Sequence, residues 1–461
     1  MIRNVRGGAA LCGALLAAAA ALVATAPEAE AQDFQVPVEY YRLDNGLRVV
    51  LSHDATAPIA TVAVYYNIGF RIEPRDRTGF AHLFEHMMFQ GSDNLGKMEF
   101  VRLVQSNGGV LNGSTRFDFT NYFEIVPAHT LEVMLWAEAD RMRGLAITDV
   151  ELKNQQDVVK NEVRVNVLNQ PYGGFPWLDM PQYANENWYN SHNFYGELED
   201  LDAATVEDVT AFFSQYYAPN NAALVVVGDF DDAQARIWIE QYFGDIPGTP
   251  AAETPDISEP RQEEAKRFQK TDDKATRPAL AMSWHVPERN TDDYLAMGLL
   301  AQILTEGRDS RLYRSLVQEN GFTGGVNGGI NLLGNQFNIN GPTLLTVSLF
   351  HDEETAADDI LAVVDEIVTD LQANPVSEEE LERARVKMRS SILSSVEAAF
   401  GFGRADLLAA FALFDDDPAR INGLLSAFDD ITAETVLATA REYLRPTNRT
   451  VLEVVPDRPA T

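Results

Sequence analysis

The chain of 461 residues holds one cysteine, Cys12, so no disulfide can close within it. Histidine is scarce, at seven residues. Basic residues are few: 36 Lys and Arg stand against 69 Asp and Glu, a net charge of -33. A surface of that sign repels nucleic acid and anionic membranes. It attracts cationic peptides, or simply keeps an exported protein in solution. Beyond the first thirty or so residues, no apolar run is long enough to span a bilayer. Hydrophobic residues nevertheless make up 46% of the chain, and its length allows two or three domains around a large core.

The long apolar run that does exist is N-terminal. Arg3 and Arg6 precede the Ala- and Leu-rich residues 9–26, and Ala29-Glu30-Ala31 reads as an A-x-A cleavage site before Gln32. The expectation is a signal peptide over 1–31, cut after Ala31, and a periplasmic or secreted protein. Cys12 would leave with it. A membrane anchor is the alternative; Gly13, weak hydrophobicity and Pro27 speak against it.

Two of the seven histidines fall in His82-Leu83-Phe84-Glu85-His86, an H-x-x-E-H pattern. On a helix, residues four apart share a face, so both imidazoles can reach one metal ion. Glu85 lies beside them, where a carboxylate can take a proton from a metal-activated water. A plain helix with solvent-facing or core histidines is the alternative. The flanks Gly79-Phe80-Ala81 and Met87-Met88-Phe89 are apolar, and polar groups in such a setting need partners. A catalytic zinc takes three protein ligands, so a third must come from elsewhere. Residues 149–168 read as a long helix with Asp149 at the N-cap and Val158, Val159, Val163 and Val167 as its apolar stripe. Glu162 lies in it and is a candidate; taken alone it would read as a solvated helix carboxylate.

These segments together resemble the inverted zincins of the pitrilysin and mitochondrial-processing-peptidase family. The likeness extends through Gly108-Gly109-Val110-Leu111-Asn112-Gly113-Ser114-Thr115, then Asp118, Thr120 and Tyr122, and through Tyr216-Tyr217-Ala218-Pro219-Asn220-Asn221. It implies His82, His86 and Glu162 as ligands of one zinc per chain, with Glu85 as general base. It also implies that an extended peptide lies along the strand at Gly109 to Gly113, where Asn112 is the side chain of interest; a turn residue before Gly113 is the alternative. Many relatives carry a supporting Glu seven residues before the third ligand, and here that place holds Gln155. Self-sufficient relatives carry an Arg and a later Tyr in the second half to hold substrate carbonyls. Here those places fall on Val317 and Gly324, which donate no side-chain hydrogen bond. The resemblance then implies a homologous partner subunit that supplies them.

An internal repeat organises the rest. Thr205, Glu207, Val209, Tyr216, Pro219 and Asn221 recur as Thr432, Glu434, Val436, Tyr443, Pro446 and Asn448, all offset by 227 residues. That period signals a duplicated domain. The expected fold is α+β, with two homologous α/β sandwich halves forming a clamshell: a zinc-binding half over 33–248, a linker over 249–276 and a second half over 277–461 without the zinc motif. Strands are expected at 47–51, 59–68 and 279–286, and helices at 291–305 and 377–400. Residues 171–196 concentrate eight aromatics, either at the mouth of a substrate chamber or as a loop anchored over the core. His192 within it has no evident partner.

The functional expectation is a zinc-dependent endopeptidase acting on peptides or unfolded polypeptides, the catalytic subunit of a heterodimer. The alternatives are a non-catalytic structural or peptide-holding subunit, and a peptide carrier without metal.

Overall fold

Short runs rich in β-branched and aromatic residues, such as Ile59–Tyr66 and Ala222–Gly228, set most strands of two sheets. The computed structural model describes residues 34–398 and 402–457, and residues from 37 onward form one unit. The expected signal peptide and its cut after Ala31 lie outside the described residues, as does the end of the helix expected to reach 400.

The first sheet has strands β1 (Glu39–Arg42), β2 (Arg48–His53), β3 (Ile59–Tyr66), β4 (Val110–Thr115), β5 (Thr120–Pro127) and β6 (Ala222–Gly228), ordered β1-β2-β6-β3-β5-β4. The second has β7 (Lys266–Asp272), β8 (Ala279–His285), β9 (Thr323–Ile330), β10 (Leu344–His351) and β11 (Arg449–Pro456), ordered β7-β11-β8-β10-β9. Each sheet holds one parallel pair, β2 with β6 and β7 with β11, and its other pairs are antiparallel. The strand orders superimpose once β1 is set aside. The duplication reaches single bonds: Asn221 Nδ2 donates to Tyr216 O at 2.8 Å, and Asn448 Nδ2 donates to Tyr443 O at 2.7 Å. This is the α+β, two-halved architecture expected from the repeat. The linker needs correction, because β7 lies inside 249–276. Its polar composition suits a strand with few buried side chains, and pairing with β11 supplies the hydrogen bonds that its sequence pattern does not advertise.

Three helices of the first half are needed below. Helix α1 spans Phe80–Met87, α2 spans Asp149–Val163 and α3 spans Val206–Tyr216. Gly79 enters α1 with φ +84°, a left-handed conformation that favours glycine. The buried Glu73 carboxylate accepts from the N–H groups of Gly79 (2.8 Å) and Ala81 (2.6 Å), satisfying donors that a helix N-terminus leaves open. The N-cap of α2 is Thr148, whose side chain accepts from Glu151 N; Asp149 is the first helical residue rather than the cap. The helix runs α-helical only to Val163, and Arg164–Leu168 form a π-helix. Val159 and Val163 are buried as the stripe requires, but Val158 is 42% exposed. Successive residues stand about 100° apart on a helix with 3.6 residues per turn, which turns Val158 away from the line that Val159 and Val163 share.

In the second half, α4 spans Asp292–Thr305, α5 spans Glu378–Val396 and α6 spans Phe402–Phe414. The Ala-, Leu- and Phe-rich α6 is buried almost all round and packs against β2, β3 and β6 of the first sheet. Two carboxylates fasten the halves. Asp406 accepts from Tyr65 OH at 2.8 Å. Asp118 Oδ2 accepts from the N–H groups of Asn340 (2.7 Å) and Gly341 (3.1 Å), while Oδ1 takes the Arg71 guanidinium.

The aromatic stretch 171–196 is a segment anchored over the core. Leu178 and Phe194 pack with Phe70 and Phe117, and Met180 and Ala184 pack with β8 and β11. It therefore touches both halves. His192 has partners after all: Nε2 lies 3.0 Å from Phe70 O and Nδ1 3.0 Å from Trp188 O.

Candidate metal centre

Helix α1 brings His82 and His86 onto one face, with ring centroids 5.0 Å apart. Helix α2 packs against α1 and carries Glu162 to them. His86 Nε2 lies 3.3 Å from Glu162 Oε2, and His82 Nε2 lies 3.7 Å from Glu162 Oε1. Ligand atoms of these three residues all fall within 4.8 Å of one another, the one such group of His, Cys, Asp and Glu among the described residues. Two nitrogens and one carboxylate oxygen, converging from two helices, make a donor set that suits zinc and leaves coordination positions open.

Glu85 sits on the same helix, backed by the edge strand β4. Thr115 Oγ1 donates to its Oε2 at 2.8 Å. A Cβ added to Gly113 would lie 3.2 Å from Glu85 Cγ, so this glycine lets the strand run close beside the carboxylate. Because strand residues alternate, Gly113 and Thr115 face Glu85, and Asn112 is exposed on the other face. Gly109, just before β4, is packed against Val126 and Ile125. At the sheet edge, one side of β4 has no neighbouring strand among the described residues. Gln155, two turns before Glu162, is buried and hydrogen-bonds His86.

The electrostatics of the cluster follow from its burial. Burial, and next the charge of His86, push His82 down to about 4, with Glu162 acting in the opposite direction. Burial also acts to lower His86, but the Glu162 hydrogen bond and the charges of Glu85 and Glu162 outweigh it and raise the group. Burial raises Glu85, against the Thr115 hydrogen bond and the nearby His86. Glu162 is lowered, chiefly by its hydrogen bond with His86. His82 Nδ1 is buried without a hydrogen-bond partner among the described residues.

Several residues around the cluster carry no mark in the sequence. Tyr195 OH donates to Glu162 Oε1 at 3.2 Å, and its ring meets His82 edge-on with centroids 5.2 Å apart. Asn166, on the π-helix, approaches the same oxygen at 3.5 Å. Glu73 and His192 sit behind α1. Period-2 alternation from Gly113 was the one available signal, and it points to Thr115. Nothing local to Tyr195 could place it 33 residues back against Glu162.

A family model described as "Insulinase (Peptidase family M16)" matches residues 48–187, and one described as "Peptidase M16 inactive domain" matches residues 203–388. The chain is 25% identical over 442 residues to the zinc protease PqqE of Helicobacter pylori, spanning 94% of this chain and 96% of that protein. It is 22% identical over 360 residues to the mitochondrial-processing peptidase subunit beta of Neurospora crassa, spanning 77% and 75% of the two. Among solved structures, a protease from Helicobacter pylori superimposes with a TM-score of 0.83 at 25% identity, over 92% of this chain and 100% of that one. The periplasmic protease PqqL of Escherichia coli shares the fold at a TM-score of 0.73 and 18% identity, over 92% of this chain and 48% of that one. No helix among the described residues is long and apolar enough to cross a membrane. With the two-sheet fold, the H-x-x-E-H helix and the Glu162 helix in place, the chain belongs to peptidase family M16, the pitrilysin family.

Proposed function

We propose that this chain is a zinc-dependent endopeptidase whose chemistry resides in its first half. The reading rests above all on the convergence of His82, His86 and Glu162 within 4.8 Å, with Glu85 alongside. The two imidazoles and the Glu162 carboxylate would hold one zinc ion, which supplies Lewis-acid activation of a water and of the scissile carbonyl. Glu85, held by Thr115, takes the proton of the attacking water and delivers it to the leaving amine. The open edge of β4, the strand entered from Gly109 and carrying Gly113 against Glu85, offers main-chain groups to an extended peptide, with Asn112 facing away from the carboxylate. Gln155 holds His86 in orientation.

Substrate holding is less complete within this chain. Val317 lies on a π-helix (Tyr313–Glu319) and Gly324 on the edge strand β9; neither has a donor side chain. A homologous subunit would supply the missing donors. This also motivates the second reading, a non-catalytic peptide-holding subunit. The family model described as inactive covers residues 203–388, a region without the cluster, which favours the catalytic reading.

The test is zinc content and peptidase activity of the purified chain, alone and with a homologous chain. About one zinc per chain is expected. Activity on a mixed peptide pool should be weak alone and rise with the partner. Zinc without activity in either setting would favour the peptide-holding reading. Full turnover from the chain alone would remove the partner from the scheme.

A further inference from the structure

We infer that Tyr195 is a positioning residue of the metal centre: its phenol fixes one oxygen of Glu162 so that the other is presented to the ion. The inference rests on the zinc reading above. Glu162 has two oxygens and only one is needed as a ligand. Oε1 accepts from Tyr195 OH at 3.2 Å, and Oε2 faces His86 Nε2 at 3.3 Å. A carboxylate divided in this way is held against rotation about its terminal bond, and the phenol contributes no charge. Partners behind a metal ligand commonly set its orientation and its affinity for the ion.

The placement of Tyr195 is built into the fold. Its segment is clasped to the entry of α1 by close backbone approach. A Cβ at Gly196 would lie 2.5 Å from Gly79 Cα, and Gly196 itself has φ +86°. Thr78 Oγ1 accepts from Glu197 N at 2.9 Å and donates to Asp200 Oδ2 at 2.6 Å. His192, three residues before Tyr195, stands 3.9 Å from the Glu73 carboxylate that caps α1. The elements that fix where α1 begins therefore also fix the phenol against the Glu162 helix. Trp177 packs edge-on against the Tyr195 ring with centroids 5.6 Å apart, limiting its swing. Glu162 is the last residue but one of α2, directly before the π-helical turn, where the backbone changes its winding. A carboxylate at such a break gains most from an external hold.

The experiment compares Tyr195→Phe, which keeps the ring, with Tyr195→Ala, which removes it. Zinc affinity is measured by competition with a colorimetric chelator in the absence of substrate, beside the melting temperature of the zinc-free protein and the absorption spectrum of the cobalt-loaded protein. Tyr195→Phe should leave zinc-free melting near wild type, weaken zinc binding on the order of 10–100-fold, and alter the cobalt spectrum. Wild-type zinc affinity and cobalt spectrum in Tyr195→Phe, with loss of melting temperature only in Tyr195→Ala, would reduce the tyrosine to packing and overturn the inference. His82→Ala and Glu162→Ala run in parallel. If they bind zinc as wild type does, the zinc reading itself fails. If they lose zinc and Tyr195→Phe does not, only the role of Tyr195 fails.

Discussion

The two halves share one frame and differ in what their helices place inside it. In the first half, α1 packs against α2 and β4; in the second, α4 packs against α5 and β9. The first arrangement holds His82, Glu85, His86 and Glu162. The second borders an open cavity of about 300 Å³ lined by residues such as Gln302, Thr305, Met388 and Ser391, with Glu306 the one ionisable group among the described lining residues. Both edge strands are free of charged residues, but β9 carries four glycines and β4 one. Topology alone therefore supplies no metal centre. It supplies a place where two helices and an edge strand meet, and the side chains decide what is done there.

The largest expected effect tests the chemistry of the first half. Glu85→Gln should keep zinc and fold, yet lower peptidase turnover roughly 10²–10⁴-fold, since an amide cannot accept the proton. Near-normal turnover, measured with zinc content in the same preparation, would remove Glu85 from the mechanism. Next comes the junction of the halves. Arg71 and Asp118 are a paired couple with side chains only 2% and 8% exposed. Asp118→Ala leaves a buried guanidinium unpaired and frees the Asn340 and Gly341 amides, and should cost about 3–5 kcal/mol in urea unfolding. A cost near zero would show that the halves are fastened elsewhere.

The third prediction sharpens the duplication. Asn221→Ala and Asn448→Ala remove equivalent bonds, to Tyr216 O and Tyr443 O. Each should cost about 1–3 kcal/mol. Costs that differ severalfold between the two would show that equivalent geometry carries unequal weight in the two halves. The smallest effect is a pH trend confined to the first half. Burial, and next the charge of Glu138, push Glu124 well above the usual carboxylate range. Folded Glu124 thus keeps its proton at a pH where the unfolded chain has lost it. Its contribution to stability is full below the unfolded value and is lost as pH rises toward the folded one. Glu124→Gln removes that loss, so the melting temperature of the variant relative to wild type should rise between about pH 5 and about pH 8. A flat difference would place the charge of the buried Glu124–Glu138–Arg141 cluster elsewhere.

Much of this was legible in the amino-acid order because the signals are local. An i, i+4 pair of histidines specifies a shared helix face wherever the helix lies. The 227-residue offset specifies a duplicated frame through paired caps and turns, and Thr205 and Thr432 do cap their helices. The helix carrying Glu162 was legible, but its cap and its π-helical end were not, because Thr148 and Asp149 are both good caps and a change of winding leaves no periodic trace. The strand Lys266–Asp272 was hidden in a polar stretch for a related reason: its stability comes from a partner almost two hundred residues away.

The sequence by itself determined the helix face of His82 and His86, the place of Glu85 beside them and the doubling of the fold, all consequences of spacing along one chain. Only the tertiary structure decided the distances at which Glu162, named by the family resemblance, meets the two histidines, that Thr115 holds Glu85 and that Tyr195 reaches Glu162. Those depend on how separate elements pack, and packing is fixed by apolar burial, by backbone approach at Gly79 and Gly196, and by buried partners such as Glu73 and His192, whose effects no local pattern records.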